Sequence, residues 1–417
     1  MLKKICLFLI SISMALFIFL AYIFVYLPGR YQIPTDSLSN IQLSYPNIEM
    51  HKDNPMISRG ETLVKIGNCL SCHTPDSGEA FAGGKWIETP YGRLPSTNIT
   101  FDPVTGIGKW RLDDFKQAMT KGISPKNTHY FPAFPYPYFA QLNEDDLQAI
   151  YAYLSVIPKV YRENSKPEFP YNLWGARWSM KIWNYFALPL TFPKSTLPGK
   201  VYVDALGHCG ACHTPANLLS MPKQDYYLGG QFIAGYYAPN LSKIGLQHAS
   251  ANQLYHSLKD GKLLFGAGNY VGPMAEVYRN SLSSLPKGVL KDIAIYLKTV
   301  KSKPLLEANL SGIESNDHYA KGAAIYQQIC AFCHQNGKMG ATLLGNKARW
   351  LFRLKSQGLE NLYQRSIDGF NRMPTQGGCV NCSNDDVKDA VDYLLSRSIG
   401  YKNWQHYKRI HTEQKQM

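Results

Sequence analysis

Two cysteines separated by two residues and followed directly by a histidine occur three times in this chain of 417 residues. The three copies are Cys69-Leu70-Ser71-Cys72-His73, Cys209-Gly210-Ala211-Cys212-His213 and Cys330-Ala331-Phe332-Cys333-His334. The two thiols of a CxxCH motif lie along one helical turn and can add to the two vinyl groups of one porphyrin, and the adjacent histidine then ligates the iron. The sequence therefore predicts three covalently bound haem c groups, with His73, His213 and His334 as proximal ligands.

A zinc site and a redox dithiol also use CxxC pairs. One zinc ion would take two such pairs, and neither it nor a disulfide gives a reason for a histidine in the same place after every pair. Haem attachment is therefore favoured at all three motifs.

The second iron ligand of an electron-transfer cytochrome is usually a methionine, whose thioether favours the reduced metal and raises its potential. Met274, in Gly272-Pro273-Met274, and Met373, in Arg372-Met373-Pro374, lie on segments between a motif and the last helix of its repeat. We therefore predict Met274 as the sixth ligand of the second haem and Met373 as that of the third.

The first repeat departs from this pattern. Met274 lies 61 residues after His213 (274 − 213 = 61), and the residue 61 positions after His73 is Phe134, which cannot ligate iron. We expect the first iron either to be open or to be bound by His129, and we favour both alternatives over Met119.

The elements around the motifs repeat as well. Each opening helix carries a glycine, and each closing helix carries a Tyr-Leu pair at the same point. We predict cytochrome domains over residues 55–160, 197–303 and 312–400, with a linker over 161–196. Residues 401–417 are basic and polar, and we interpret them as a solvated tail.

The N-terminus predicts export. Residues 5–27 form a run of 23 positions without a charge, preceded by Lys3 and Lys4. This run is long enough to span a membrane, so we predict an anchor over residues 1–30 and a spacer over 31–54, with a cleaved signal peptide as the alternative. We expect the protein in the bacterial inner membrane, with its haem domains facing the periplasm.

The remaining cysteines and the charge agree with export. Cys379 and Cys382 have no histidine after them, and in an oxidising compartment we expect a short disulfide between them. The formal charge of +14 suits an acidic protein partner or an anionic membrane face, and nucleic acid is a poor partner for an exported haem protein. The Trp- and Arg/Lys-containing linker is either an interfacial membrane helix or a segment packed on the haem domains, and we favour packing.

Residues 55–300 resemble the cytochrome c subunit of bacterial membrane-bound dehydrogenases for alcohols, gluconate and sorbitol. The matching stretches include Asn68-Cys69-Leu70-Ser71-Cys72-His73-Thr74-Pro75, Thr128-His129-Tyr130-Phe131-Pro132-Ala133-Phe134-Pro135-Tyr136, Leu206-Gly207-His208-Cys209-Gly210-Ala211-Cys212-His213-Thr214-Pro215 and Gly272-Pro273-Met274-Ala275-Glu276-Val277. In that family the first loop reads Pro-Ala-Met-Pro, and here Phe134 replaces the methionine.

The last repeat resembles the c-five subclass of small soluble class I cytochromes, which carry a CxxC disulfide like Cys379 and Cys382. Together the two resemblances imply a mostly α fold of three tandem class I cytochrome c domains behind the N-terminal transmembrane anchor.

The chain has no flavin or dinucleotide glycine motif and no nucleophile constellation, so substrate chemistry is expected to belong to a partner. The resemblance implies an electron-transfer subunit that relays electrons from a periplasmic dehydrogenase catalytic subunit to ubiquinone, a terminal oxidase or a soluble cytochrome. The first alternative is an enzyme or sensor in which the first haem binds peroxide or another small ligand. The second is a module that stores electrons without a dedicated dehydrogenase.

Overall fold

A computed structural model of the chain describes residues 41–414, except 90–91, 169–176, 178, 189, 218–219, 234–235, 247–248, 265–268, 304–316, 336, 338–339, 372 and 380–381. The chain divides into two compact units. The first comprises the described residues of Met1–Ala211 together with Ala216–Gln224 and Gly272–Ile293, and the second comprises those of Cys212–Pro215, Asp225–Val271 and Ala294–Met417.

The described residues are mostly helical, with two short antiparallel hairpins, β1–β2 and β3–β4. In chain order the elements are α1 (Pro55–Ile66), α2 (Cys69–His73), β1 (Trp86–Thr89), β2 (Gly92–Pro95), α3 (Leu112–Lys121), α4 (Tyr136–Phe139), α5 (Glu144–Val156), α6 (Ser179–Ala187), a π-helical turn (Val201–Leu206), α7 (Cys209–His213), β3 (Gln231–Ile233), β4 (Tyr236–Ala238), α8 (Ala251–Asp260), α9 (Pro273–Asn280), α10 (Lys287–Leu297), α11 (Asp317–Ile325), a second π-helical turn (Tyr326–Cys330), α12 (Ala331–His334), α13 (Lys347–Gln357), α14 (Leu359–Asp368), α15 (Asn384–Ile399) and α16 (Tyr401–Gln414).

Helices α1 and α5 cross in direct contact in the first unit. The N-cap Asn54 starts α1 by accepting from the backbone N–H groups of Met56 and Ile57 at 3.0 and 3.3 Å. At the crossing, a Cβ placed on Gly60 would lie 2.0 Å from the Ala149 carbonyl oxygen, so only glycine permits this approach. The α1–α5 pair brackets the first CxxCH motif, which follows α1 directly.

The same arrangement recurs in the second unit, where α11 crosses α15. A Cβ on Gly322 would lie 2.1 Å from the Asp389 carbonyl oxygen, and the buried Tyr393 ring packs 5.3 Å from the Tyr319 ring. Ser383 and Asp386 form a capping box that fixes the start of α15. The glycine and tyrosine that the sequence repeats therefore set the spacing of the helices at these two crossings.

The interpretation of residues 401–417 as a solvated tail is wrong for their described part. Residues 401–414 form helix α16, and Trp404 belongs to the hydrophobic core of the second unit with 4 % of its surface exposed. The Tyr407 hydroxyl donates to the Leu354 carbonyl at 2.9 Å, and Lys408 pairs with Asp392. Two aromatic residues in a polar sequence are enough to anchor the helix.

The described part of the predicted spacer, residues 41–54, is also packed rather than free. Ile48 is buried, the Leu43 N–H donates to Asn280 Oδ1 at 3.0 Å, and the Tyr45 hydroxyl donates to the Asn280 carbonyl at 2.8 Å. Among the residues that the structure describes, no helix is both long and apolar enough to cross a membrane. The predicted anchor lies outside the described residues.

Within the predicted linker, one face of α6 packs on the first predicted domain. Asn184 accepts from the Tyr136 hydroxyl, the Trp183 ring lies 6.5 Å from the Tyr136 ring, and Ala187 is buried. The opposite face exposes Ile182, Tyr185 and Phe186.

Candidate haem-binding sites

Each CxxCH motif lies on a short helix. Residues in the left-handed backbone region, Asn68 (φ 50°) and His208 (φ 34°), directly precede α2 and α7. The third motif instead continues from the π-helical turn Tyr326–Cys330 into α12. The helical turn places each cysteine pair at positions i and i+3, on the same side of the helix.

A backbone carbonyl fixes the ring of every proximal histidine. The Nδ1 atom of His73 lies 2.7 Å from the Thr97 oxygen, that of His213 2.7 Å from the Pro239 oxygen, and that of His334 2.8 Å from the Thr342 oxygen. Nδ1 must therefore carry the proton and donate to the carbonyl, which leaves the lone pair on Nε2. This is the tautomer that an iron-ligating imidazole requires.

Burial lowers the pKa of all three imidazoles, to about 4 for His213, and the carbonyl partner offsets part of this effect. The rings are therefore neutral at pH 7 and able to ligate a metal. Burial also raises the pKa of the Cys69 and Cys330 thiols to about 12, so these thiols stay protonated in the folded chain.

A backbone frame repeats behind the motifs. The carbonyl of each proximal histidine accepts from a backbone N–H at 2.7 Å, and these three donors are Gly83, Gly230 and Leu344. In the first two repeats a threonine after the histidine also accepts from a left-handed residue: Phe81 donates to Thr74 at 3.1 Å, and Leu228 donates to Thr214 at 3.0 Å. The repeat thus extends beyond the five residues of the motif.

The third site is a cavity of about 460 Å³ that lies within the second unit. It is lined by the predicted Cys330, Cys333, His334 and Met373 together with apolar residues of α14 and α15. The Met373 backbone forms two hydrogen bonds of 2.9 Å with Phe370, which hold the methionine loop at the cavity. The structure therefore brings together all four residues that the sequence assigned to the third haem.

The charges of this cavity also fit a haem. Arg353 and Arg365 line it, and the buried Nε of Arg353 has no hydrogen-bond partner in the described part of the chain. Burial, with Arg349 and Arg365 nearby, lowers the pKa of Arg353. A partly buried guanidinium of this kind needs an anion, and a haem propionate supplies one. The sequence-based prediction did not identify these two arginines.

The predicted sixth ligands of the other haems have different settings. Met274 is the second residue of α9 and follows Gly272, which has φ 61°. Phe134 packs in an aromatic cluster, with ring centroids 5.8 Å from Tyr130 and 5.7 Å from Phe139. The roles of Met274 and of the alternatives for the first haem stay predictions.

His129 differs from the three proximal histidines. Its Nδ1 lies 3.3 Å from the Asn184 side-chain nitrogen, while Asn184 Oδ1 accepts from Tyr136. In this arrangement Nδ1 accepts and Nε2 carries the proton of the neutral ring. Met119 is buried.

Cys379 and Cys382 form a disulfide with their Cα atoms 5.5 Å apart. The six motif cysteines are not in disulfide bonds.

Family models and known proteins agree with this geometry. The cytochrome c model matches residues 57–157, and the model for subunit III of cbb3-type cytochrome c oxidase matches residues 317–394. The fructose dehydrogenase cytochrome subunit of Gluconobacter japonicus is 33% identical over 331 residues, which cover 70% of this chain and 68% of that protein. The gluconate 2-dehydrogenase cytochrome c subunit of Pantoea cypripedii is 32% identical over 330 residues, or 72% of this chain and 73% of that protein. This chain belongs to the family of dehydrogenase cytochrome c subunits.

A longer relative of this cytochrome c subunit is one of the subunits of nicotinate dehydrogenase from Pseudomonas putida. It is 37% identical over 303 residues, which are 70% of this chain but only 25% of that protein. The chain thus spans about a quarter of its length. Both family-model matches enclose a CxxCH motif, at residues 69–73 and 330–334, so this cytochrome c subunit binds haem c covalently.

Arg353 provides a test of the third site. We expect Arg353→Met to lower the reduction potential of the third haem by on the order of 50 mV, because losing roughly 1 kcal/mol of charge interaction disfavours the electron-rich state. A spectroelectrochemical titration of the purified full chain measures this shift. The matched control is Arg349→Met, at an exposed position of the same helix. A shift of equal size in both variants, or in neither, would contradict a propionate contact at Arg353.

Proposed function

We propose that this chain relays electrons from the catalytic subunit of a dehydrogenase to ubiquinone, a terminal oxidase or a soluble cytochrome. The observation that carries the proposal is the common geometry of His73, His213 and His334, each next to a CxxC pair and each with Nδ1 on a backbone carbonyl. Membership of the dehydrogenase cytochrome c subunits supports the direction of the relay.

The proposal includes three haems. Cys69 and Cys72, Cys209 and Cys212, and Cys330 and Cys333 would form the thioether bonds. The second motif lies outside both family-model matches, and its support is the histidine geometry and the Thr214 contact that it shares with the first. When bound, each haem supplies a one-electron couple whose potential depends on its axial ligands. The residues of the chain fix the porphyrin, hold the ligating tautomer and exclude water.

The proposal also places the protein in the bacterial inner membrane, with its haem domains in the periplasm. The uncharged run of residues 5–27 supports an anchor, and the Cys379–Cys382 disulfide supports an oxidising compartment. Substrate oxidation would take place in the partner subunit.

Purification from native membranes in mild detergent tests the relay. We expect a large catalytic chain to accompany this protein and its dehydrogenase substrate to reduce the haem absorption bands without an added mediator. A preparation in which the accompanying chain turns over with an artificial acceptor but never reduces the haems would contradict the relay.

A further inference from the structure

His208 directly precedes Cys209 and lies against the residues around the first CxxCH motif, within the first unit. Its ring packs 5.9 Å from the Phe139 ring and 6.5 Å from the Tyr138 ring, centroid to centroid. A hydrogen bond joins the ring to the Gly67 carbonyl. Gly67 is two residues before Cys69.

The backbone of His208 is held in a costly conformation. Its φ of 34° is unusual for a residue with a Cβ, its N–H donates to the Ala205 carbonyl at 3.2 Å, and its carbonyl accepts from Ala211 at 2.8 Å. This conformation turns the imidazole away from its own motif helix and toward Gly67. An asparagine or glycine would adopt the same backbone more readily, so the imidazole itself is the feature to explain.

The approach at Gly67 is close enough to be specific. A Cβ on Gly67 would lie 3.2 Å from Cys69 Sγ and 3.7 Å from a methyl group of Leu206. The segment before Cys209 therefore reaches the segment before Cys69. The connection between the two cysteines consists of two backbone links on one side, a single hydrogen bond, and one backbone link on the other.

We propose that His208 is an electron-transfer bridge that connects Cys69, which attaches the first haem, to Cys209, which attaches the second. The proposal rests on the relay proposed above and names the residue through which an electron passes between its first two centres. Burial lowers the pKa of the His208 imidazole, so the ring is neutral and a single N–H makes the connection.

A second contact at the first motif offers a comparison. Asn280 is buried, and its Nδ2 donates to Ser71 Oγ at 3.0 Å. Asn280 lies six residues from the predicted ligand Met274 (280 − 274 = 6), so any route through it is much longer than the route through His208. Its hydrogen bonds hold α9 against α2 without a short link to a haem.

The experiment measures electron equilibration in the purified full chain after rapid photoreduction of one haem per molecule. His208→Phe keeps a ring against Phe139 and Tyr138 but removes the N–H, and we expect it to slow transfer between the first and second haems several-fold. His208→Gln keeps a donor of similar reach and should lose less. The haem spectra and reduction potentials of both variants should match those of the unmodified chain, which a merely structural role of His208 would not predict.

Asn280→Ala is the matched control, and we expect it to reduce thermal stability while leaving the transfer rate unchanged. A His208→Phe rate equal to that of the unmodified chain would overturn the bridge. If His208→Phe does not take up haem, His208→Asn, which suits the backbone but is too short to reach Gly67, decides the question in the same way. Failure of haem attachment in all three His208 variants would assign a structural role and reject the bridge. If the unmodified chain shows no transfer between these haems, the relay itself fails.

Discussion

Replacement of Met373 by histidine should lower the reduction potential of the third haem by on the order of 0.1 V, within the span of about 0.8 V that axial ligands command. A thioether stabilises the reduced iron, and an imidazole does so less. Met373 lines the same cavity as Cys330, Cys333 and His334, and its backbone is fixed by Phe370. Spectroelectrochemistry of the purified full chain measures the potential, and the near-infrared charge-transfer band of Met-ligated ferric haem should lose intensity in parallel.

Met119→Leu is the control for this experiment. Met119 is buried in the first unit, and we expect no change in any potential or in the near-infrared band. An unchanged third haem in Met373→His, or a loss of band intensity in Met119→Leu, would show that the ligands are assigned wrongly.

Gly60→Ala should destabilise the first unit by about 3 kcal/mol. The added Cβ would lie 2.0 Å from the Ala149 carbonyl oxygen and 2.8 Å from Tyr153 Cβ, and a backbone oxygen cannot move aside without separating α1 from α5. Thermal unfolding of the full chain, followed by far-ultraviolet circular dichroism, measures the loss.

Gly288→Ala in α10 is the matched control, because no atom lies within 4 Å of the position that its Cβ would take. Alanine is the better helix former, so this variant should gain about 0.5–1 kcal/mol. Equal effects of the two substitutions would mean that the α1–α5 crossing does not depend on close approach at Gly60.

The parts of the protein that sequence could predict are those specified by a few side chains at fixed spacing. The CxxCH motifs place two thiols and an imidazole on one turn, and Met373 meets Cys330, Cys333 and His334 in the cavity as its position in the chain suggested. Gly60 and Gly322 marked helix crossings because no other residue allows the approach.

The remaining features depend on tertiary contacts that carry no local signal. The carbonyls of Thr97, Pro239 and Thr342 select the histidine tautomer, and a carbonyl is present in every residue type. Helix α16 is polar along most of its length, so its packing through Trp404 was not apparent from composition.

Distant segments raise the same difficulty. The contact of Asn280 with Ser71 joins residues 209 positions apart, and only the folded chain brings them together. The Arg353 guanidinium signals a site by having an Nε without a partner in the described structure, which a sequence cannot reveal.

The intact mass of the mature full-length protein, measured in acid so that only covalent groups remain, tests the central claim most directly. We predict the mass of the mature polypeptide plus three haem groups, with a decrease of one haem when Cys209 and Cys212 are both replaced by alanine. A mass with two haems or fewer in the unmodified protein, or one that the Cys209 and Cys212 replacements leave unchanged in haem content, would contradict a relay of three covalently attached centres.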